Sequence, residues 1–273
     1  NNWAMPLFGG FDGLNILEKD PFGNHILTPG GVSATEISSY AYNTVKQAMD
    51  IVSDAEEVEY NILLAPNVTD PTLTQHLVDI AEDRGDALAI IDIEGDFTPA
   101  AESTLSYKNR IGSVENAVKK MKDRLVDSSF AACYYPYVQI VDRLSNNLVF
   151  VPPSVVALGT LSNSEAQEKL WFAPAGFNRG GLSSGQAGLP VVGITQKLSK
   201  TERDQLYDVN INPIASFPSE GIVVFGQKTL QAVPSALDRI NVRRLLIFLK
   251  KEISRIANNI LFDQNAQVTW NRF

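Results

Sequence analysis

Tyr60-Asn61-Ile62-Leu63-Leu64-Ala65, closed by Pro66, gives way at Asp70-Pro71 to Leu73, Leu77 and Ile80 at helical spacing, and after Gly85 to Ala87-Leu88-Ala89-Ile90-Ile91-Asp92-Ile93. The two apolar runs are short and lack the alternation of a half-exposed strand, so they read as strands buried on both faces. Between them Asp70 offers a carboxylate N-cap, and Pro71 suits the first helical position. A strand, a helix and a strand in close succession form the unit of a parallel sheet covered by helices.

The same pattern extends outward. Upstream, Tyr42, Val45, Met49 and Val52 give one apolar face to a helix within Glu36 to Ser53. Downstream, Ser113 can cap a helix bearing Val114, Val118, Met121 and Leu125, and Phe130 to Tyr135 reads as a third buried strand. Pro152-Pro153 suits another helix start, whereas five glycines between Ala173 and Pro190 predict a long exposed loop. A short helix near Thr201 to Tyr207 and strands around Ile211 and Ile222 to Phe225 follow. The last element is a helix from Arg239 to about Phe262, where Val242, Leu245, Leu246, Leu249, Ile253, Ile256 and Ile260 share a sector of about 120°. Arg243, Arg244, Lys250, Lys251 and Arg255 lie opposite. The wheel therefore predicts a docked apolar stripe and an outward basic face. Ile247 falls among the charges, where an exposed isoleucine serves an interface best, so Arg243, Arg244, Ile247 and Lys251 are the candidate subunit-interface residues.

The expected fold class is α/β: a mixed or parallel sheet flanked by helices, with a smaller C-terminal α/β unit carrying the long amphipathic helix. The expected divisions are a lead-in at 1–35, a core at 36–199 and a C-terminal domain at 200–273, the boundary falling between Pro190 and Ile211. At 273 residues, 44% hydrophobic and 20% charged, the chain has the composition of a soluble globular protein. No apolar run approaches the roughly 20 residues that span a bilayer, so membrane insertion is not expected. The start at Asn1-Asn2-Trp3 shows no signal core and suggests a fragment. Charge divides unevenly: through Phe150 there are 10 Lys and Arg against 22 Asp and Glu, and beyond it 13 against 9. This asymmetry suits head-to-tail association of copies or a solvated surface better than a nucleic-acid face, given a net charge of -8.

Motifs that could carry chemistry lack their partners. Gly181-Leu182-Ser183-Ser184-Gly185 matches the G-x-S-x-G nucleophile elbow, but the only histidines are His25 and His76, and neither lies downstream to act as base. Asp92, Glu94 and Asp96 close a strand where magnesium ligands are common, yet a solvated strand end is the expected reading. Cys133 is expected to be a buried thiol without the partners a zinc site needs. Gly9-Gly10-Phe11-Asp12-Gly13 reads as turn chemistry, not as a phosphate loop. No catalytic residue, metal or cofactor is therefore expected; an α/β hydrolase or metal-dependent enzyme of unknown substrate is the alternative.

The second half carries a resemblance. Val151-Pro152-Pro153-Ser154, Trp171-Phe172-Ala173-Pro174-Ala175-Gly176, Ile211-Asn212-Pro213-Ile214, Gly221-Ile222-Val223-Val224-Phe225-Gly226 with Thr229-Leu230, Asn241-Val242-Arg243-Arg244-Leu245 and Thr269-Trp270 occur in order. In that order they resemble the core of contractile-tail sheath proteins of bacteriophages and related injection devices. The Gly9 to Gly13 turn is similar to one in that family too. Gln227-Lys228 stands where many members have a small residue and arginine. The resemblance implies a core fragment of a non-enzymatic subunit that stacks as hexameric rings around a tail tube and contracts to drive it through the host envelope. It also implies terminal arms exchanged between neighbouring copies, contacts with tube, baseplate and tail terminator proteins, and a place in the virion after assembly in the host cytoplasm. No direct nucleic-acid contact is implied, and a core without arms is expected to be monomeric.

Overall fold

The computed structural model describes residues 21–22 and 40–272, apart from positions 101, 143, 184 and 186. The expected lead-in at 1–35, His25 and the Gly9 to Gly13 turn fall almost wholly outside the described residues. The body is a five-stranded sheet built from β1 (Ile62–Leu64), β2 (Leu88–Ile91), β3 (Ala131–Tyr135), β7 (Ile211–Phe217) and β8 (Gly221–Val224), in that spatial order. The first four strands run parallel, and β8 closes an antiparallel hairpin on β7.

Alternation along the strands divides the core in two. Ala89, Ile91, Ala131, Cys133 and Tyr135 face a layer of helices α1 (Tyr40–Ile51), α2 (Pro71–Arg84), α3 (Val114–Arg124) and α5 (Lys200–Asp208). Leu88, Ile90, Ala132 and Tyr134 face α4 (Pro153–Gln167) and α6 (Ile240–Asn258). Cys133 is buried and unpaired, as expected. Both faces of the sheet are covered, which is why its strands read as unbroken apolar runs.

The helix starts follow local chemistry. The Asp70 carboxylate accepts from the backbone N–H of Thr72 and Leu73, and Pro71 opens α2, which ends where Gly85 takes φ 61°. Ser113 caps α3 through the Asn116 N–H. Ser199 and Glu202 form a reciprocal capping box on α5.

Three short strands escaped the sequence reading: β4 (Val138–Val141), β5 (Leu148–Val151) and β6 (Val191–Ile194) form a small antiparallel sheet ordered β5-β4-β6. The Ala173 to Pro190 segment also corrects its expectation of a long exposed loop. Leu182 and Ala187 are buried there, the Leu182 N–H donates to the Ile222 carbonyl, and the Val224 N–H donates to the Gly180 carbonyl, so the segment lines the outer edge of β8. The sheet crosses the boundary expected between Pro190 and Ile211: β7 pairs with β3, placing residues 211–224 inside the core of the first half. A short α7 (Gln267–Arg272) holds Trp270 at the C-terminal end.

Candidate functional site

Helix α6 docks by the face expected to be free. Ile247 is 2% exposed and packs into the second core layer, and Arg244 is 1% exposed, with Nη2 donating to Glu165 Oε2 at 2.8 Å. The half-buried Arg243 lays its guanidinium 3.9 Å from the Phe130 ring centre and donates to Ser129 Oγ. The Lys251 ammonium donates to the Tyr60 carbonyl at 2.6 Å and lies 3.7 Å from Asp86; Lys250 donates to the Arg84 carbonyl. The four candidate interface residues share one helix, and each makes a separate contact within the chain. Arg244 and Ile247 are corrected from exposed to buried.

The physical reason is that long basic side chains cover apolar surface with their stems while their heads find carbonyls, rings and carboxylates. Part of the charge asymmetry is used inside the molecule in this way. The apolar stripe consequently faces out: Leu246 and Leu249 are each 41% exposed, Ile253 53% and Ile256 40%.

The acidic trio at the end of β2 divides. Glu94 points outward and pairs with Lys120 at 2.9 Å, in a cleft of about 560 Å³ also lined by Pro71, Gln75 and Arg124. Asp92 and Asp96 are buried, contrary to the expected solvated strand end. Asp92 Oδ1 accepts from the Ser154 N–H at 3.2 Å, and Oδ2 accepts from the Ser154 hydroxyl at 2.7 Å and the Asn67 N–H at 2.9 Å. Ser154 lies in the first turn of α4, whose N-terminal N–H groups need acceptors, so a carboxylate just past the end of β2 caps that helix through a residue 62 positions later.

Burial pushes Asp92 up to about 6 despite these hydrogen bonds. Asp96 is raised well above the carboxylate range by burial and then by the charge of Asp92; its Oδ2 has no partner among the described residues. Tyr137 donates to Asn67 Oδ1, and Asn67 to Glu102, extending the network.

No group of three or more His, Cys, Asp or Glu among the described residues could hold a metal ion. Ser183 Oγ accepts the Ile222 N–H at 2.8 Å, so the elbow-like motif fastens β8. His76 pairs with Asp50 at 2.6 Å, far along the sequence from Ser183. Burial raises the Cys133 thiol, which holds it protonated. No helix among the described residues is long and apolar enough to cross a membrane.

Several of the ordered sequence motifs meet in one knot that sequence reasoning did not foresee. The buried Asn212 amide donates to the carbonyls of Cys133 and Lys228 and accepts the Lys228 N–H. Gly226 lies against it, where a Cβ would come 2.8 Å from Asn212 Oδ1 and 3.0 Å from its Cα. Thr229 donates from Oγ1 to the Leu237 carbonyl and from its N–H to the Asp238 carbonyl. The Leu230 N–H reaches the Ala131 carbonyl, and the Ile240 N–H at the start of α6 reaches the Gln227 carbonyl. Residues 226–230 thereby tie β3, β7 and α6 together. Lys228 is used here as well, donating to the Tyr207 carbonyl with its ammonium 4.2 Å from the Tyr207 ring centre.

In these clusters of an α/β fold the buried polar groups join one element to another. Residues 41–230 match the phage tail sheath protein central domain. The chain belongs to the phage tail sheath family, whose members are structural and non-enzymatic. It is 26% identical over 264 residues to the tail sheath protein of Enterobacteria phage T4, an alignment covering 92% of this chain and 38% of that protein. It thus spans about two fifths of that relative's length.

Two solved structures share the fold. The contracted sheath complex of the extracellular contractile injection system PVC superposes with a TM-score of 0.63 at 19% identity, over all of this chain and 78% of the other. The contracted helical sheath of the anti-feeding prophage superposes with a TM-score of 0.59 at 21% identity, over 84% of this chain and 55% of the other.

Proposed function

We propose that this chain is the core of a subunit that stacks as hexameric rings around an inner tube and contracts to drive that tube through a host envelope. The observation that carries the reading is the family match across residues 41–230, the stretch that builds the main sheet and every helix packed on it except α6. The physics is compatible with the role. A sheet packed on both faces and stitched at Asn212 moves as one rigid body, so contraction is a switch between two packings of nearly unchanged subunits. Edge strands supply attachment points: β5 ends the small sheet and β1 ends the large one. Arms donated by neighbouring copies would add strands at such edges through main-chain hydrogen bonds, a link indifferent to side-chain rearrangement elsewhere.

The partners of the reading are neighbouring sheath copies, the tail tube, the baseplate and the tail terminator, within a virion assembled in the host cytoplasm. The test is electron microscopy of a protein in which arms of the sheath type flank this core. Tubes of stacked rings are the expected result, and dispersed particles under all polymerising conditions would refute it.

A further inference from the structure

We propose that residues 96–98 and 107–112 form a flap over the small sheet, held shut by the uncharged form of Asp96 and opened when that carboxyl ionises. The inference goes beyond the sheath reading and does not depend on it. The two halves of the flap run side by side: the Thr98 N–H donates to the Arg110 carbonyl at 2.9 Å, and Arg110 Nη1 donates back to the Thr98 carbonyl at 3.3 Å. Gly112 packs so closely that a Cβ there would collide with the carbonyls of Gly95 and Asp96. Phe97 and Tyr107 lie against Phe150 of β5, their ring centres 4.6 and 5.3 Å from its own, and Phe97 is 5.6 Å from the Tyr137 ring. The flap therefore covers the face of the small sheet that carries Phe150, whereas Val138 and Val151 turn the other face to the second core layer. Between β2 and α3 the only regular element among the described residues is one helical turn, Tyr107–Arg110, so few backbone hydrogen bonds resist opening.

Asp96 is the weak point of this closure. It is 6% exposed, and its Oδ2 has no partner among the described residues. Its neighbour Asp92 is better served, with three donors on its two oxygens, so Asp92 is the member of the pair that can carry charge while Asp96 keeps the proton. The other titratable groups around Asp96 are Cys133 of β3 and Tyr135 and Tyr137 at the β3–β4 turn, and behind the tyrosines lie Glu202 of α5 and Glu102. None supplies a positive charge. The cations nearby are engaged elsewhere: Arg110 with the Thr98 carbonyl and 5.2 Å from the Phe97 ring centre, Arg124 with Thr74, and Lys120 with Glu94. An ionised Asp96 thus has water as its remedy, and the flap must lift to admit it. Burial and then the Asp92 charge raise Asp96 well above the carboxylate range, so the closed flap binds this proton more tightly than the open one. Closure is fully favoured at low pH and weakens as pH rises toward that raised value.

Hydrogen exchange of the 273-residue chain from about pH 5 to about pH 8, corrected for the intrinsic pH dependence of exchange, tests the flap. The Thr98 and Asn109 amides, which donate to the Arg110 and Ser106 carbonyls, should lose protection by up to about tenfold per pH unit, the slope of one proton released on opening. Amides of β2 and β3 should remain better protected throughout, because they open only with the whole fold. Asp96→Asn should abolish the slope at Thr98 and Asn109, since the amide keeps an acceptor and has no proton to lose. Tyr107→Ala removes a 42% exposed ring from Phe150 and should raise opening at every pH with the slope retained, which tests the flap even where Asp96→Asn fails to fold. Protection at Thr98 and Asn109 that is flat with pH, that matches β2 and β3, that keeps its slope in Asp96→Asn or that ignores Tyr107→Ala overturns the proposal.

Discussion

Asp92 is held near 6, chiefly by burial, whereas an unfolded aspartate titrates near 4. The folded state therefore binds this proton more tightly than the unfolded chain. Its stabilising effect is complete below about pH 4 and is lost as pH rises through about 6, a difference of roughly 3 kcal/mol for a shift of about two units. Asp96, raised for the same reason and also by Asp92, extends the loss to higher pH. Thermal melts should accordingly show a higher melting temperature at pH 5 than at pH 7.5. Asp96→Asn should stabilise the protein at pH 7.5 and flatten that dependence, because a neutral amide keeps an acceptor for the Tyr137 and Phe97 N–H groups. A profile that rises from pH 5 to 7.5 would contradict the assignment. Ser183→Ala removes the acceptor of the Ile222 N–H and should cost about 1 kcal/mol in urea unfolding. Neither role was legible in the sequence. Asp92 and Ser154 lie far apart along the chain, as do Ser183 and Ile222, so no local spacing announces either pair.

Among the elements, existence was legible and orientation was not. Buried strands near Ile62, Ile90 and Ala132 and the capped helices at Asp70 and Ser113 follow from local patterning, because capping and runs buried on both faces are written in adjacent residues. The face of α6 is different. A helical wheel ranks side chains by polarity, but docking was decided by Phe130, Glu165 and the carbonyls of Tyr60 and Arg84, none of which a wheel contains. Ile247→Ala should therefore cost about 2–4 kcal/mol as a buried large-to-small change. Leu249→Ala and Ile253→Ala, measured as monomer by urea unfolding at low concentration, should stay below about 1 kcal/mol. Equal costs across the three would mean that α6 is docked the other way round. The missed β4–β5 hairpin did carry a signal. Asp142 accepts from the Leu144 and Ser145 N–H groups, and Asn146 takes φ 55°, between two short apolar runs, which is turn chemistry at a strand boundary.

At the scale of the whole molecule, the chain is less divisible than its sequence suggests. The glycine-rich stretch from 176 to 188 and the change in charge balance after Phe150 both invite a cut, and both are surface properties that say nothing about which strands pair. The pairing of Cys133, Tyr134 and Tyr135 with Ile211, Asn212 and Pro213 lies in the middle of the sheet, and Ile247 fills the layer beneath Leu88 and Ile90. Residues 36–199 alone would leave the β3 edge unpaired, expose the apolar side chains that β7, β8 and α6 cover, and lose the hydrogen bond that the Asn212 amide gives to the Cys133 carbonyl. Residues 200–273 alone would keep the β7–β8 hairpin and helices α5, α6 and α7 with little core between them, too little buried surface to offset the entropy of ordering. Neither piece should unfold cooperatively by itself, whereas the two mixed, or the intact chain, should show one sharp transition in urea. A cooperative transition from residues 36–199 on their own would instead establish a domain boundary near residue 200, and would make the β3–β7 pairing a contact between two units that fold separately.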